Sequence, residues 1–379
     1  MKKLKIHQLG KIISGGTPST TNENYWDGEV IWITPKDLSK NKSRYIYNGE
    51  RNITQAGLEH SSAKLLPANS VLLSSRAPIG YLAIAGCELT TNQGFKSVIC
   101  DESIVLPEYL YYSLSTKIDD LISISSGSTF LELSKSSFEN FELNIHSIQE
   151  QQHIVNIIGS IDDLIESNYI LIEKIKVYLK NIFDKWYLKA NIKTTINNCS
   201  SNLVCGKTPS TKNQEYWGND VPFITIPDMH NNVFITQYER KLSKEGANSQ
   251  FNKFLPKNSI CVSCIATPGL VSLTSENSQT NQQINSIICK NNISPFYLYL
   301  LLNSETLKQT IINLGSGGSA TYNLNKNVFS NIEINILNNE NMNSFHNDVK
   351  NIFEEILNLY QKNIKLKKLK QKYLNKFFG

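Results

Sequence analysis

Apolar residues recur at alternating steps of four and three in the middle of the chain, across residues 147–189. This heptad spacing predicts a long amphipathic helix whose apolar seam is interrupted once, by Asn168. The seam residues are Ile154, Ile158, Ile161, Ile165, Ile172, Ile175, Leu179, Ile182 and Trp186. A helix of this length would extend roughly 60 Å, too far for one wall of a compact domain. The pattern therefore predicts a spacer between two globular bodies.

A second apolar stripe runs from about residue 342 to residue 378. Its members are Phe345, Val349, Ile352, Ile356, Leu359, Leu366, Tyr373 and Phe377, with Asn363 as a polar break. Antiparallel pairing of the two helices would bury both stripes and place Asn168 against Asn363, which would fix the coiled-coil register. The alternative is that each helix packs on a separate domain.

The remainder of the chain consists of two copies of one repeated sequence unit. Residues 15–38 match residues 206–229, so that Thr17 corresponds to Thr208 and Asp37 to Asp228. Further matches follow in the same order. They are Tyr25-Trp26 with Tyr216-Trp217, Glu50-Arg51 with Glu239-Arg240, Leu66-Pro67 with Leu255-Pro256, Thr91-Asn92-Gln93 with Thr280-Asn281-Gln282, and residues 126–138 with 317–329. Ordered matches over this length indicate an internal duplication.

Within each unit, short β-branched runs alternate with Gly, Pro and Asn, which predicts strands joined by turns, as at residues 30–34, 70–74 and 95–99. Residues 106–122 have helical spacing, with Pro107 in the first turn. We therefore expect an α+β fold with a pseudo-twofold internal repeat. Its predicted parts are a mixed α/β domain at 1–146, a central spacer helix at 147–190, a second mixed domain at 191–338 and a C-terminal spacer helix at 339–379.

The composition is that of a globular protein, with 379 residues, 40% hydrophobic residues and a net charge of +5. The positive charge is concentrated in residues 361–379, which hold seven lysines and no acidic residue. Such a run is either a solvated coiled-coil face or a surface for phosphate or a partner.

The seven cysteines have no regular framework, which indicates a reducing compartment. The N-terminus has no apolar core of signal-peptide length, and no stretch of the chain is apolar for long enough to span a membrane. We therefore expect a soluble, cytoplasmic protein without a membrane partner.

Several motifs stand in a fixed order along the chain. They are the TPST loops at 17–20 and 208–211, the ITPKDL and ITIPDM segments that end at Leu38 and Met229, SSRAPIG at 74–80, TNQG at 91–94 and QEQQHIV at 149–155. With the duplication and the long helices, they make the whole chain resemble the specificity subunit of type I restriction–modification systems. The resemblance implies two target recognition domains, each of which reads one half of a split, asymmetric site in double-stranded DNA, while the paired helices set the gap.

The same resemblance implies that the chain is not an enzyme but positions two methyltransferase subunits and, in the full complex, two restriction subunits. Those partners would bind S-adenosylmethionine, ATP and Mg²⁺, and this chain would bind no cofactor. Family members usually enter each helix through a proline-rich segment and Glu-Gln. Here the first helix keeps Glu150 and Gln151, our candidates for partner docking, and the second copy lacks the pair. The equivalence of the two docking surfaces is therefore left open.

Positions shared by both copies cannot distinguish two different half-sites, so we assign them to the scaffold or to phosphate contacts. The TPST hydroxyls and amides suit a phosphate, although a solvated turn would have the same sequence. The Asn-Gln pairs suit adenine edges, but their duplication favours a structural role. These candidate DNA-binding residues are Thr17, Ser19, Thr20, Asn92 and Gln93, with Thr208, Ser210, Thr211, Asn281 and Gln282 in the second copy.

Base readout should come from positions at which the copies differ. The candidates are Lys36, Ser75, Arg76 and Lys96 in the first unit, and Lys207, His230, Asn231 and Thr321 in the second. Arg76 is the strongest, because arginine is the commonest bidentate reader of guanine and the corresponding segment SCIATPG has no basic residue. The alternative for Arg76 is packing against a carboxylate.

One pattern predicts a nuclease instead. Pro227-Asp228 and Glu239-Arg240-Lys241 spell PD-x10-ExK, an arrangement by which nucleases bind Mg²⁺. The first copy lacks the lysine, which favours a chance match within a repeat. The main alternative to a specificity subunit is nevertheless a stand-alone Mg²⁺-dependent nuclease with a coiled-coil arm. A helical scaffold that binds no nucleic acid is another.

Other chemistry finds no support in the sequence. We find no Walker P-loop and no methyltransferase tetrapeptide or Gly-rich loop for a methyl donor. Cys261-x2-Cys264 has no second ligand pair and apolar neighbours, which predicts a buried strand rather than a zinc site. The sequence therefore predicts neither catalytic nor metal-binding residues.

Overall fold

A computed structural model of the chain describes residues 1–127, 131–265, 267–315 and 324–379. The chain divides into two compact units. Unit 1 comprises Met1–Ser167 and Ile364–Gly379, and unit 2 comprises Asn168–Asn363. Each unit therefore contains part of both long helices. The domain bounds expected from the sequence remain a prediction.

The described residues of unit 1 form three sheets. In spatial order, the five-stranded sheet consists of Gly10–Ser14, Lys96–Cys100, Val71–Ser75, Ile79–Ala85 and Tyr45–Ile46, antiparallel except for the last pair. The three-stranded sheet has the order Arg51–Ile53, Trp26–Ile33 and Thr90–Thr91, and Lys2–Lys5 pairs with Glu142–Ile145. Its shorter helices are Pro35–Lys40, Gln55–Glu59, Pro107–Ser115, Ile118–Ser123 and Lys135–Asn140, with 3-10 turns at Ile6–Gln8 and Glu23–Tyr25.

Unit 2 repeats the same sheets in the same order. Its five-stranded sheet runs Ser200–Cys205, Ile284–Cys289, Ile260–Ser263, Val271–Thr274 and Phe234–Ile235, and its three-stranded sheet runs Arg240–Leu242, Trp217–Ile224 and Gln279–Thr280. Ile192–Thr195 pairs with Glu333–Ile336. Its shorter helices are Ile196–Cys199, Ile226–Met229, Lys244–Asn248, Pro295–Leu302, Glu305–Gly315 and Lys326–Ser330, with 3-10 turns at Gln214–Tyr216 and Phe251–Lys253. The predicted duplication and the mixed α/β class are therefore confirmed.

The strand Val71–Ser75 shows why the five-stranded sheet of unit 1 is stable. Every residue of this strand is buried, because both faces of the sheet are covered. Side chains alternate between the faces, so Val71 and Leu73 join a core that includes Tyr109, whereas Leu72 joins a second core with Phe95. The sheet is thus fixed from both sides, and the loops that leave its strand ends are held in defined positions.

The two long helices span Ile148–Tyr187 and Asn339–Phe378, close to the predicted bounds. They run antiparallel within each unit. In unit 1, Asp162 pairs with Lys370; in unit 2, the Trp186 indole N–H donates to Asp348 Oδ2 at 3.1 Å. No helix in the described part of the chain is long and apolar enough to cross a membrane.

The buried face of the helices is wider than the heptad seam predicts. Phe183 and Phe353 lie in the core of unit 2, although neither belongs to the predicted stripes. Ile175, Ile182 and Trp186 are only partly buried at its margin. In unit 2 the long helices pack against the strands and shorter helices as well as against each other. This additional packing determines which helix residues are most deeply buried.

The helix predicted at residues 106–122 is divided into two helices, Pro107–Ser115 and Ile118–Ser123. The break lies where Ser115 and Thr116 donate side-chain hydrogen bonds to the carbonyls of Tyr112 and Ser113. Serine and threonine compete in this way with the helical backbone bonds. Apolar spacing alone does not register that competition.

Candidate nucleic-acid interface

The TPST loop of each unit is tied to the Asn-Gln segment of the same unit. The Thr17 hydroxyl donates to Gln93 Oε1, and the Thr208 hydroxyl donates to Gln282 Oε1 at 2.6 Å. Because both glutamines accept a bond from a loop hydroxyl, both serve the frame that holds the loop. Their part in binding DNA stays a prediction.

The asparagines beside these glutamines stabilise the turn itself. Asn92 Oδ1 accepts from the Gly94 N–H at 2.9 Å, and Asn281 Oδ1 accepts from the Gln283 N–H at 3.1 Å. This arrangement is a local turn that the side-chain oxygen closes, as Asn commonly does. To read adenine, these oxygens would have to accept a second hydrogen bond or leave the turn.

In both TPST loops the last two residues are exposed, and a tryptophan indole is hydrogen-bonded to the loop backbone. The Trp26 indole N–H donates to the Ser19 carbonyl at 3.0 Å, and the Trp217 N–H donates to the Ser210 carbonyl at 3.3 Å. The exposed hydroxyls of Ser19, Thr20, Ser210 and Thr211 and the ammonium of Lys207 remain available to a ligand. The tryptophans thus anchor the two loops.

Each anchoring tryptophan carries an arginine on its ring. The guanidinium carbon of Arg51 lies 3.8 Å from the Trp26 ring centroid, and that of Arg240 lies 3.5 Å from the Trp217 centroid. Both arginines are exposed, and within the described residues neither forms an ion pair with a carboxylate. In the sequence these arginines stand out only as matched positions of the repeat. Their occurrence in both copies, together with that of the tryptophan, was the signal for this stacked pair.

Three charged side chains meet in unit 1 beside the loop that contains Arg76. Arg76 Nη1 lies 3.4 Å from Glu132 Oε2, and Lys96 Nζ lies 3.8 Å from Glu132 Oε1. The Arg76 side chain is 39% exposed, whereas that of Lys96 is only 8% exposed. Burial lowers the pKa of Lys96, and the Glu132 charge opposes that shift. The carboxylate alternative considered for Arg76 therefore has a specific partner, which the sequence did not reveal.

The equivalent place in unit 2 holds no charged side chain among the described residues. Asn285 stands where Lys96 stands in unit 1, and its amide donates to Cys264 Sγ at 3.0 Å and to the Leu324 carbonyl at 3.1 Å. Ile265 follows Cys264, as Arg76 follows Ser75. The Ser75 hydroxyl is buried and makes no hydrogen bond within the described part of the chain. The two units thus share the same backbone arrangement at this place but differ in the charge and polarity of the side chains there.

The remaining candidates lie in different settings. Lys36 is exposed and bonded to Glu50 at 2.9 Å, and this contact raises the pKa of Lys36 and lowers that of Glu50. His230 and Asn231 are exposed in the turn after Ile226–Met229. Thr321 lies outside the described residues.

The two candidates for partner docking stabilise the start of the central helix. Gln151 is fully buried, and its amide bonds the Leu106 N–H and the carbonyls of Ile104 and His146, each at 2.9 Å. Glu150 accepts from the N–H and the hydroxyl of Ser147, bonds that lower the pKa of Glu150. Gln151 therefore has no surface to offer a partner, and only the Glu150 side chain can reach one.

The aspartate of the nuclease pattern has a structural role in both copies. Asp228 Oδ2 accepts from the Thr225 N–H and hydroxyl, both at 2.8 Å, and its Oδ1 accepts from the Glu239 N–H at 3.0 Å. Asp37 makes the same bonds with Thr34 and Glu50. In each copy Oδ2 is thus engaged in a helix-capping turn and Oδ1 in a bond to a backbone N–H further along the chain, which accounts for the repeated Asp without a metal.

The Cys261-x2-Cys264 pair is buried in and beside the strand Ile260–Ser263, as the sequence predicted. Burial raises the pKa of Cys261 to about 12 and that of Cys264 to about 11. A thiol held protonated in this way is a poor metal ligand, since zinc binds the thiolate. Within the described residues no group of three His, Cys, Asp or Glu side chains is placed to hold a metal ion.

Comparison with known proteins decides among the remaining readings. The model of the type I restriction modification DNA specificity domain matches residues 1–177 and 201–374, one match to each copy. The chain belongs to this family. The resemblance read from the TPST, TNQG and QEQQHIV motifs is therefore confirmed, and the nuclease alternative is not supported.

Relatives extend over most of the chain. The specificity subunit of the type I restriction enzyme HindI from Haemophilus influenzae is 33% identical over 90% of this chain and 92% of its own. The MjaIX specificity subunit from Methanocaldococcus jannaschii is 43% identical, over 48% of this chain and 43% of its own. The crystal structure of a type I restriction–modification S subunit from M. genitalium shares the fold, with a TM-score of 0.60 at 15% identity over 100% of this chain and 96% of that one.

Proposed function

We propose that this chain is the non-catalytic DNA-recognition subunit of a type I restriction–modification complex. It binds a bipartite, asymmetric target in double-stranded DNA and positions methyltransferase subunits and, where present, restriction subunits. The observation that carries this function is the match of the family to both copies of a duplicated unit. Methylation with S-adenosylmethionine and Mg²⁺- and ATP-dependent cleavage belong to the partners, in the cytoplasm.

The duplicated frame supports a division of labour between residues. Exposed groups that both copies share, the TPST hydroxyls and the arginines on tryptophan, contact the phosphate backbone, which carries no sequence information. Groups that differ between the copies, foremost Arg76 in unit 1, read base edges in the major groove. The half-sites therefore differ because the same frame presents different side chains.

A long-read methylome tests this function. Host strains with the gene, without it, and with the deletion complemented would be scored for adenine methylation while the methyltransferase partner is expressed. We expect one split motif with a fixed gap, lost on deletion and restored on complementation. Exchanging residues 1–146 for those of a relative should change one half of the motif and leave the other. A methylome that is identical in all three strains would contradict the function.

A binding assay separates this function from that of a helical scaffold. The purified chain should be retained on duplex DNA and heparin at low salt and released as salt rises, because phosphate contacts release counterions. A scaffold without nucleic-acid affinity would pass through both columns at every salt concentration.

A further inference from the structure

We propose that Glu132 determines specificity in the first half-site by positioning Arg76 against a guanine, with the buried Lys96 balancing the Glu132 charge. This inference rests on the proposed function and deepens it. Glu132 is the positioning residue, and Arg76 is the residue that touches the base.

The geometry leaves Arg76 free to read a base while it is held. Only Nη1 of Arg76 contacts Glu132, at 3.4 Å, and its other N–H groups bond no described residue. A guanidinium has five N–H donors in a rigid fork, so a single side contact leaves a pair for O6 and N7 of guanine. Because the side chain is held before DNA arrives, less conformational entropy is lost on binding.

Lys96 explains how an arginine paired with a carboxylate still attracts a base. An isolated Arg–Glu pair is neutral, which would weaken its attraction for the electron-rich guanine edge. With Lys96 Nζ 3.8 Å from the other Glu132 oxygen, the three groups together carry one positive charge. Lys96 is too deeply buried to reach the base itself, so its contribution is this charge.

The fold does not require these three charges. The Leu133 N–H donates to the Ser75 carbonyl at 2.9 Å, and in unit 2 the Leu324 N–H donates to the Cys264 carbonyl at 3.2 Å. The same backbone frame thus forms around Asn285 without a buried cation. Because burying an ammonium group costs free energy, a cluster that one unit omits is retained in the other for something besides stability.

The test compares Glu132→Gln with Glu142→Gln in the full complex. Glu142 is a matched control, since it pairs with Lys3 at 2.7 Å in the same unit and is 43% exposed, against 41% for Glu132. We expect Glu132→Gln to relax one position of the first half-site by about tenfold or more, within the range for loss of one bidentate base contact. The second half-site and the Glu142→Gln motif should stay unchanged.

Arg76→Lys keeps the charge, removes the planar fork and is the second variant, should Glu132→Gln fail to fold. It should relax the same position. An unchanged motif in a folded Glu132→Gln complex, or equal weakening on all sequences in either variant, would overturn the inference while the function of the chain stands. A wild-type complex that methylates no split motif would instead refute the function itself.

Discussion

The Asn168 side-chain amide donates a hydrogen bond to Oδ1 of Asn363 at 2.7 Å, across the antiparallel helices of unit 2. Asn363 is only 2% exposed, so this bond satisfies a polar group within an otherwise apolar seam. A polar pair at such a position aligns best in one register, and we therefore predict that this pair specifies how the two helices align.

Asn168→Leu should therefore destabilise the protein by about 1–3 kcal/mol, because the Asn363 amide loses this partner while still buried. The double variant with Asn363→Leu should recover most of that loss, since two leucines pack without a polar requirement. Denaturant unfolding of the single and double variants measures this coupling. Strictly additive effects would show that the pair does not interact energetically.

Arg51→Ala and Arg240→Ala should weaken binding to all DNA sequences alike. If each arginine neutralises one phosphate, each substitution should reduce the slope of log K against log salt by about 1. Lys180→Ala is the control, because Lys180 is exposed but already paired with Asp184 on the central helix. A change of methylation motif instead of affinity would identify base readers.

Asp37→Ala and Asp228→Ala should each lower stability by about 1–3 kcal/mol, because each loses hydrogen bonds to an ionised group. The purified chain should cut no DNA before or after either change. The two variants control each other, since only the second copy carries the lysine of the nuclease pattern. If the purified chain cut DNA with Mg²⁺, and Asp228→Ala abolished this cleavage while Asp37→Ala did not, the result would support the nuclease hypothesis.

Asp162→Ala should destabilise unit 1 by about 3 kcal/mol or more, since it leaves a partly buried Lys370 without its carboxylate. Asp162 accepts from both Lys370 Nζ at 2.8 Å and the Tyr112 hydroxyl at 2.8 Å. The comparison is Glu173→Ala, which breaks an exposed pair with Lys176 and should cost at most about 1 kcal/mol. Equal losses in thermal unfolding would mean that the Asp162 cluster adds nothing.

Periodic and repeated features of this protein could be predicted from its sequence. Heptad spacing located the helices Ile148–Tyr187 and Asn339–Phe378, and β-branched runs located strands such as Val71–Ser75, because both signals are local. The repeat added what periodicity cannot, since matched positions show which residues the frame needs.

Contacts that loop residues make with distant side chains could not be predicted, unlike the pairing of Asn168 with Asn363. Glu132 meets Arg76 across 56 positions, and Arg44 reaches Asp163 on the central helix across 119. No local pattern encodes such a meeting, because it depends on how loops leave a folded sheet. The alternative of a carboxylate partner for Arg76 followed from arginine chemistry alone, but its identity required the fold.

The buried ammonium of Lys96 has a consequence for protein engineering. Unit 2 shows that an amide serves at the same strand position, so a random library selected only for heat resistance would enrich neutral residues at position 96. Each such variant would melt at a higher temperature and, if Lys96 supports base reading, would direct its methyltransferase partner to a broader set of chromosomal sites. In the design of a more thermostable variant, positions 76, 96 and 132 should therefore be left out of randomisation or exchanged together.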